Sequence, residues 1–122
     1  MSFYIAIDTV SESGRHRQIF MTTTGLRILG ATLLPSEGNN RWTPQLEVKR
    51  QAINQWIRTS GEFDGTIDFD AVVRDPSEPS KLLPECDSGD HIHPSDAGYL
   101  AMGDMVNLEL FTGGASQAHT SK

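Results

Sequence analysis

Apolar positions along the chain fall into separate runs, each bounded by polar, Gly- or Pro-containing stretches. Phe3–Ile7 is short, aromatic and β-branched, which predicts a strand. Ser11–Arg17 reads as a polar loop, and Gln18–Thr24 as the end of a helix stopped by Gly25. The consecutive threonines Thr22, Thr23 and Thr24 make that helix weak. Leu26–Leu34 is almost continuously apolar and closes at Pro35, as expected for a parallel strand covered on both faces. After the polar loop Ser36–Trp42, Thr43 and Pro44 supply an N-cap and a first helical residue. The helix they start carries Leu46, Ile53, Trp56 and Ile57 on one apolar stripe, with Lys49, Arg50 and Arg58 off it, and Gly61 as its stop. Trp56 on such a stripe reads as a core aromatic.

Gly65–Val73 alternates Ile67 and Phe69 with Asp68 and Asp70, which predicts a second strand broken by Arg74-Asp75-Pro76. Its two acids read as solvated or loop-bonding carboxylates. Ser77–Ser88 is rich in Ser and Pro and predicts a loop. Ala97–Phe111 predicts one helix, capped by Ser95, with Asp96 in its first turn and Tyr99, Met102, Val106 and Leu110 as the buried stripe. Thr112–Lys122 is small and polar, a disordered tail by composition. Strand, helix, strand, loop and helix in that order make an α/β unit.

Composition narrows the function without naming it. The 122 residues suffice for one domain with a single core. A net charge of −6 and no Lys/Arg cluster argue against a nucleic-acid partner or an anionic membrane surface. The apolar start is too short for a membrane span and lacks the basic residues of a signal peptide. Cys86 is the single cysteine, so no intrachain disulfide and no Cys-x-x-Cys metal framework exists, and a buried, inert thiol is expected.

Candidate chemistry concentrates in Asp87–Tyr99, the run DSGDHIHPSDAGY. Three uses fit these residue types. Asp90 and His93 stand three apart ahead of Pro94, so the carboxylate can orient the imidazole as a general base. His91-x-His93 with Asp87 or Asp90 can hold a metal ion. Alternatively, the loop is structural and its acids cap the next helix.

DSGDHIHPSDAGY resembles the last signature block of the SGNH, or GDSL, hydrolases, in which Asp-x-x-His-Pro carries the acid and base of a Ser-His-Asp triad. ATLLP, the helix with Asn54-Gln55-Trp56, and FDGTIDFDAVVRDP look like the segments that precede this block in a bacterial GDSL subgroup. The resemblance spans roughly residues 25–111 and implies the C-terminal part of a three-layer α/β/α, doubly wound, flavodoxin-like hydrolase domain. Residues 1–24 stand apart as an atypical N-terminal segment, and 112–122 as the tail.

Carried over by position, Asp90 is the triad acid and His93 the base, with no role for His91 and no metal or cofactor. Tyr99 and Met102 would fix the loop against the sheet. The implied substrate is a small acyl ester. The family's Gly-Asp-Ser nucleophile block and its Gly and Asn oxyanion donors have no counterpart in the sequence; Gly38-Asn39-Asn40 lies after the wrong strand to be the Asn block. The resemblance therefore implies an esterase or lipase of which these residues carry only the Asp and His, inactive alone, self-associating or completed by a companion chain. The alternative is a non-catalytic remnant or binding module with a capping loop.

Overall fold

The computed structural model describes Phe3–Ala6 and residues 27–112. The expected helix at Gln18–Thr24 and the tail beyond Thr112 lie outside these residues. Three parallel strands, β1 (Phe3–Ala6), β2 (Arg27–Ala31) and β3 (Gly65–Ile67), form a sheet in the order β1-β2-β3. Phe3 pairs with Arg27 and Ala6 with Gly30, while Leu29 pairs with Gly65 and Ala31 with Ile67. β2 is buried along almost its whole length, as its apolar run predicts.

β2 ends at Ala31 rather than Leu34 because its hydrogen-bond partners change there. The Leu33 amide donates to Asn54 Oδ1 at 2.7 Å, and the Leu33 carbonyl accepts from Asn54 Nδ2 at 2.9 Å. A fully buried side-chain amide thus takes the place of a neighbouring strand. Asn54 belongs to α1 (Pro44–Thr59), which begins as expected: the Thr43 hydroxyl accepts the Leu46 amide, and Pro44 is its first residue.

The inner face of α1 differs from the apolar stripe expected of it. Leu46 is 48% exposed, and the buried residues are Arg50, Asn54 and Ile57. Arg50 is inside because the opposing carboxylates are inside too. Asp70, 1% exposed, accepts Arg50 at 2.6 Å, Arg58 at 2.7 Å and Arg74 at 2.6 Å. Arg50 also donates to the carbonyls of Leu33 and Pro79. Asp70 is therefore the hub of a buried ionic network, not a solvated carboxylate. Removing one member of such a network costs about 3–5 kcal/mol, since the remaining charges are stranded.

Gly65–Val73 is a short strand and then a helix, not one strand. Asp68 turns the chain: its carboxylate accepts the Ala71 amide as the N-cap of α2 (Phe69–Val73), and also Thr32 Oγ1 and Arg58. The helix expected over Ala97–Phe111 is likewise divided, into α3 (Asp96–Met105) and α4 (Glu109–Thr112). Val106 is extended where α3 stops, and the Asn107 carboxamide oxygen takes the Glu109 amide at the start of α4.

Helices cover both faces of the sheet. Leu29, Ala31 and Ile67 pack against Met105 of α3, Val106 just beyond it, and Leu110 and Phe111 of α4. On the opposite side, Gly30 lies against the ring of Phe63, which meets Trp56 of α1 edge-on at 5.3 Å. A second core cluster, Val73, Leu82 and Cys86 with Met102 against it, ties α2 and α3 to the loop between them. Burial, with the charge of Glu85, pushes the Cys86 thiol up from its ordinary value, as suits an inert core cysteine. Met102 packs on this second cluster rather than on the sheet against which it was expected, and Tyr99 is 55% exposed. Among the described residues no helix is long and apolar enough to cross a membrane.

Candidate active site

The loop holding the candidate residues is closed at its base by backbone pairing. A short 3-10 turn, Pro84–Cys86, leads into it. Asp87 bridges Pro94, the Ser88 amide donates to the His93 carbonyl at 3.1 Å, and the Ser95 amide donates to Cys86 O at 2.8 Å. Ser95 has two tasks: its hydroxyl donates to Glu85 O at 2.6 Å and accepts the Gly98 amide as the cap of α3. Gly98 is buried against the same base. A Cβ there would stand 2.7 Å from the Cys86 carbonyl oxygen and 3.0 Å from Pro94 Cβ. The absent side chain allows α3 to dock directly on the loop.

Within the loop, Asp90 gathers the backbone of Ile92 and His93 around its carboxylate. Its Oδ1 accepts the amides of Ile92 at 2.9 Å and His93 at 2.8 Å, together with Ser88 Oγ at 3.1 Å. Its Oδ2 lies 2.5 Å from His93 Nδ1. The amide of His93, then its ring and the amide of Ile92, hold the Asp90 carboxyl well below the usual carboxylate range. An ionised carboxylate only accepts, so Nδ1 carries the proton that points at it, and in a neutral ring of this tautomer Nε2 holds the lone pair. The pair is open to solvent, with the His93 side chain 67% and the Asp90 side chain 45% exposed. The sequence placed these two residues together, and so does the fold.

A second pair lies beside the first. Asp87 Oδ1 accepts the amides of Gly89 at 2.8 Å and His91 at 3.0 Å, and Oδ2 lies 2.6 Å from His91 Nδ1. Desolvation pushes the Asp87 carboxyl up, but the Gly89 amide and the ring and amide of His91 outweigh it and leave it lowered. His91 has φ of 64°, a left-handed conformation uncommon outside glycine. Each histidine is thus engaged by its own aspartate. Among the described residues no three His, Cys, Asp or Glu side chains gather as a set able to hold a metal ion.

The turn before α1 reaches across to this loop. Asn39 Nδ2 donates to the Asp90 carbonyl at 2.9 Å, and a Cβ on Gly38 would lie 3.0 Å from His91 Cγ. Between turn and loop opens a cavity of about 420 Å³, lined by Glu37, Asp75, Glu78, Lys81, Asp87 and His91 among others. Sequence reasoning set Gly38-Asn39-Asn40 aside and gave His91 no role in the family pattern; the structure brings Gly38 and Asn39 to the loop and His91 against Gly38. The Asp87/His91 spacing of four residues was the available signal for the second pair. The contact with Asn39, by contrast, spans 51 residues and is created by the fold alone.

Comparison with known proteins bears on the family and the fold. Residues 7–106 match the family of GDSL-like lipases/acylhydrolases. None of the curated proteins compared with the chain matches it. Among solved structures, a GDSL-like lipase from Bacteroides thetaiotaomicron superposes with a TM-score of 0.58 at 15% identity, over 80% of this chain and 48% of that one. The chain thus spans about half the length of that lipase and shares its fold. With the family match covering most of its residues, the chain belongs to the GDSL-like lipase/acylhydrolase family.

Proposed function

We propose that this chain contributes the acid and base of an ester hydrolase that works through a Ser-His-Asp triad. The observation that carries the reading is the contact of 2.5 Å between Asp90 Oδ2 and His93 Nδ1, which leaves Nε2 on the other side of the ring. In this reading a serine hydroxyl approaches Nε2 of His93. The imidazole takes its proton as the oxygen attacks the acyl carbon, and Asp90 stabilises the imidazolium that forms. His93 then returns the proton to the leaving alcohol, and water repeats the sequence to free the acid. The 122 residues hold no Gly-Asp-Ser run, so the serine and its oxyanion donors are supplied by a segment outside them. Losing a triad nucleophile costs about 10⁶-fold in turnover, which is why these residues alone are expected to be inactive.

A second reading, a non-catalytic module with a capping loop, draws on a different observation. Asp87 and Asp90 together bind the amides of Gly89, His91, Ile92 and His93, and Ser95 caps α3, so the loop is internally complete without a substrate. The two readings separate in a complementation assay. The chain is mixed or co-expressed with a segment of a GDSL-like lipase bearing Gly-Asp-Ser, and hydrolysis of a short p-nitrophenyl ester is monitored. Turnover in the mixture only, reduced to background by His93→Ala, with fluorophosphonate labelling of the serine segment, is the expected result. A folded complex with no turnover, unaffected by His93→Ala, favours the capping module.

A further inference from the structure

The Asp90–His93 pair forms within a few residues, but such a loop is free to swing as a body unless something outside holds it. Two contacts join it to the turn between β2 and α1. Asn39 grips the Asp90 carbonyl through Nδ2, and the His91 ring lies over Gly38 so closely that a Cβ there would stand 3.0 Å from its Cγ. The turn is itself fixed. Arg41 N donates to Asn39 Oδ1, Trp42 N to the Asn39 carbonyl, Glu37 N to the Ser80 carbonyl, and Ser80 Oγ to the Glu37 carboxylate. The His91 ring is likewise not free to turn away, since Asp87 holds Nδ1 while also binding the amides of Gly89 and His91.

We propose that His91 and Asn39 are positioning residues that clamp the Asp90–His93 loop against the Glu37–Asn40 turn and so set the direction in which His93 presents Nε2. His91 does this from a left-handed backbone conformation, with its ring over Gly38, while the ring of His93, two residues on, meets Asp90. Asp87 acts on the clamp by holding the ring and amide of His91. An error of ~1 Å in the placing of a catalytic group costs about 10²-fold in rate, so a clamp of this kind matters to turnover without touching substrate.

The inference rests on reading Asp90 and His93 as acid and base, and its test has a readout that does not need turnover. In the 122-residue chain, nitrogen-15 spectra of the histidine rings report the Nδ1–H of His93 that is bonded to Asp90. His91→Ala is expected to broaden that signal and speed its exchange with solvent several-fold. His91→Asn, which tolerates the left-handed backbone and offers Asp87 an amide donor, is expected to restore it. Asn39→Ala, on the turn side of the contact, is expected to act like His91→Ala and covers the case in which His91→Ala fails to fold. A His93 signal identical to wild type in His91→Ala or in Asn39→Ala would overturn the proposal, as would failure of His91→Asn to restore it.

In the complemented enzyme, His91→Ala should lower kcat by up to about 10²-fold with KM nearly unchanged. If the ring signals behave as expected and no ester is hydrolysed, the clamp stands and the hydrolase reading falls. If ester is hydrolysed and His91→Ala alters neither ring signal nor kcat, the clamp falls by itself.

Discussion

Asp90 keeps its charge because of what points at it: two backbone amides, a hydroxyl and an imidazole N–H converge on a group that is nearly half exposed. Its carboxyl is depressed in the folded chain, so the order it lends the loop is complete above the ordinary Asp value of about 3.9 and is lost only as pH falls through the lower folded value. Carbon-13 titration should accordingly show the Asp90 carboxyl still ionised at pH ~3.9, where an unperturbed aspartate is half protonated; a midpoint there would contradict the geometry. Asp90 and His93 were legible in the sequence because the whole interaction is local. Asp87 and His91 were not paired in the sequence reading, since an Asp followed by Ser and Gly in a polar run reads as an ordinary turn residue. Asn39 could not have been paired with Asp90 by any local signal.

At the scale of elements, the clearest sequence signals were the starts of helices. Thr43-Pro44 and Ser95-Asp96 begin α1 and α3 where cap chemistry said they would. The misread stretch, Gly65–Val73, shows why alternation is ambiguous over short distances. Ile67 and Phe69 against Asp68 and Asp70 fit a strand, but the same Asp68 is also a good N-cap, and Thr32 and Arg58 waiting beside it favour the turn. Arg50 defeated its prediction in a related way, because its burial depends on Asp70 and on the carbonyls of Leu33 and Pro79, which lie far along the chain, as well as on Glu47 of its own helix. The docking of α3 on the loop gives a direct check. Gly98→Ala places a methyl 2.7 Å from the Cys86 carbonyl oxygen and must push α3 away from the loop. The better helix propensity of alanine cannot offset such overpacking, and a net loss of about 1–3 kcal/mol is expected in denaturant melts. An unchanged or raised midpoint would show that α3 does not rest on the loop as described.

For the whole molecule, the three-stranded parallel sheet is central to behaviour in solution. Among the described residues β1 and β3 each pair on one side only, leaving backbone donors and acceptors along both margins. The isolated chain is expected to self-associate at micromolar concentration, and sedimentation that showed a cooperatively melting monomer would refute this. A segment that supplies further strands should suppress the association as it restores turnover. The two parts of the molecule also differ in how they are assembled in time. Every side-chain bond of Asp90 reaches three residues or fewer along the chain, and those of Asp87 four or fewer. Closing loops of ten residues takes roughly 10–100 ns, whereas parallel sheets join distant strands and form far more slowly. The Asp–His pairs can therefore come and go in the unfolded chain long before any core exists, and folding has only to stop their motion.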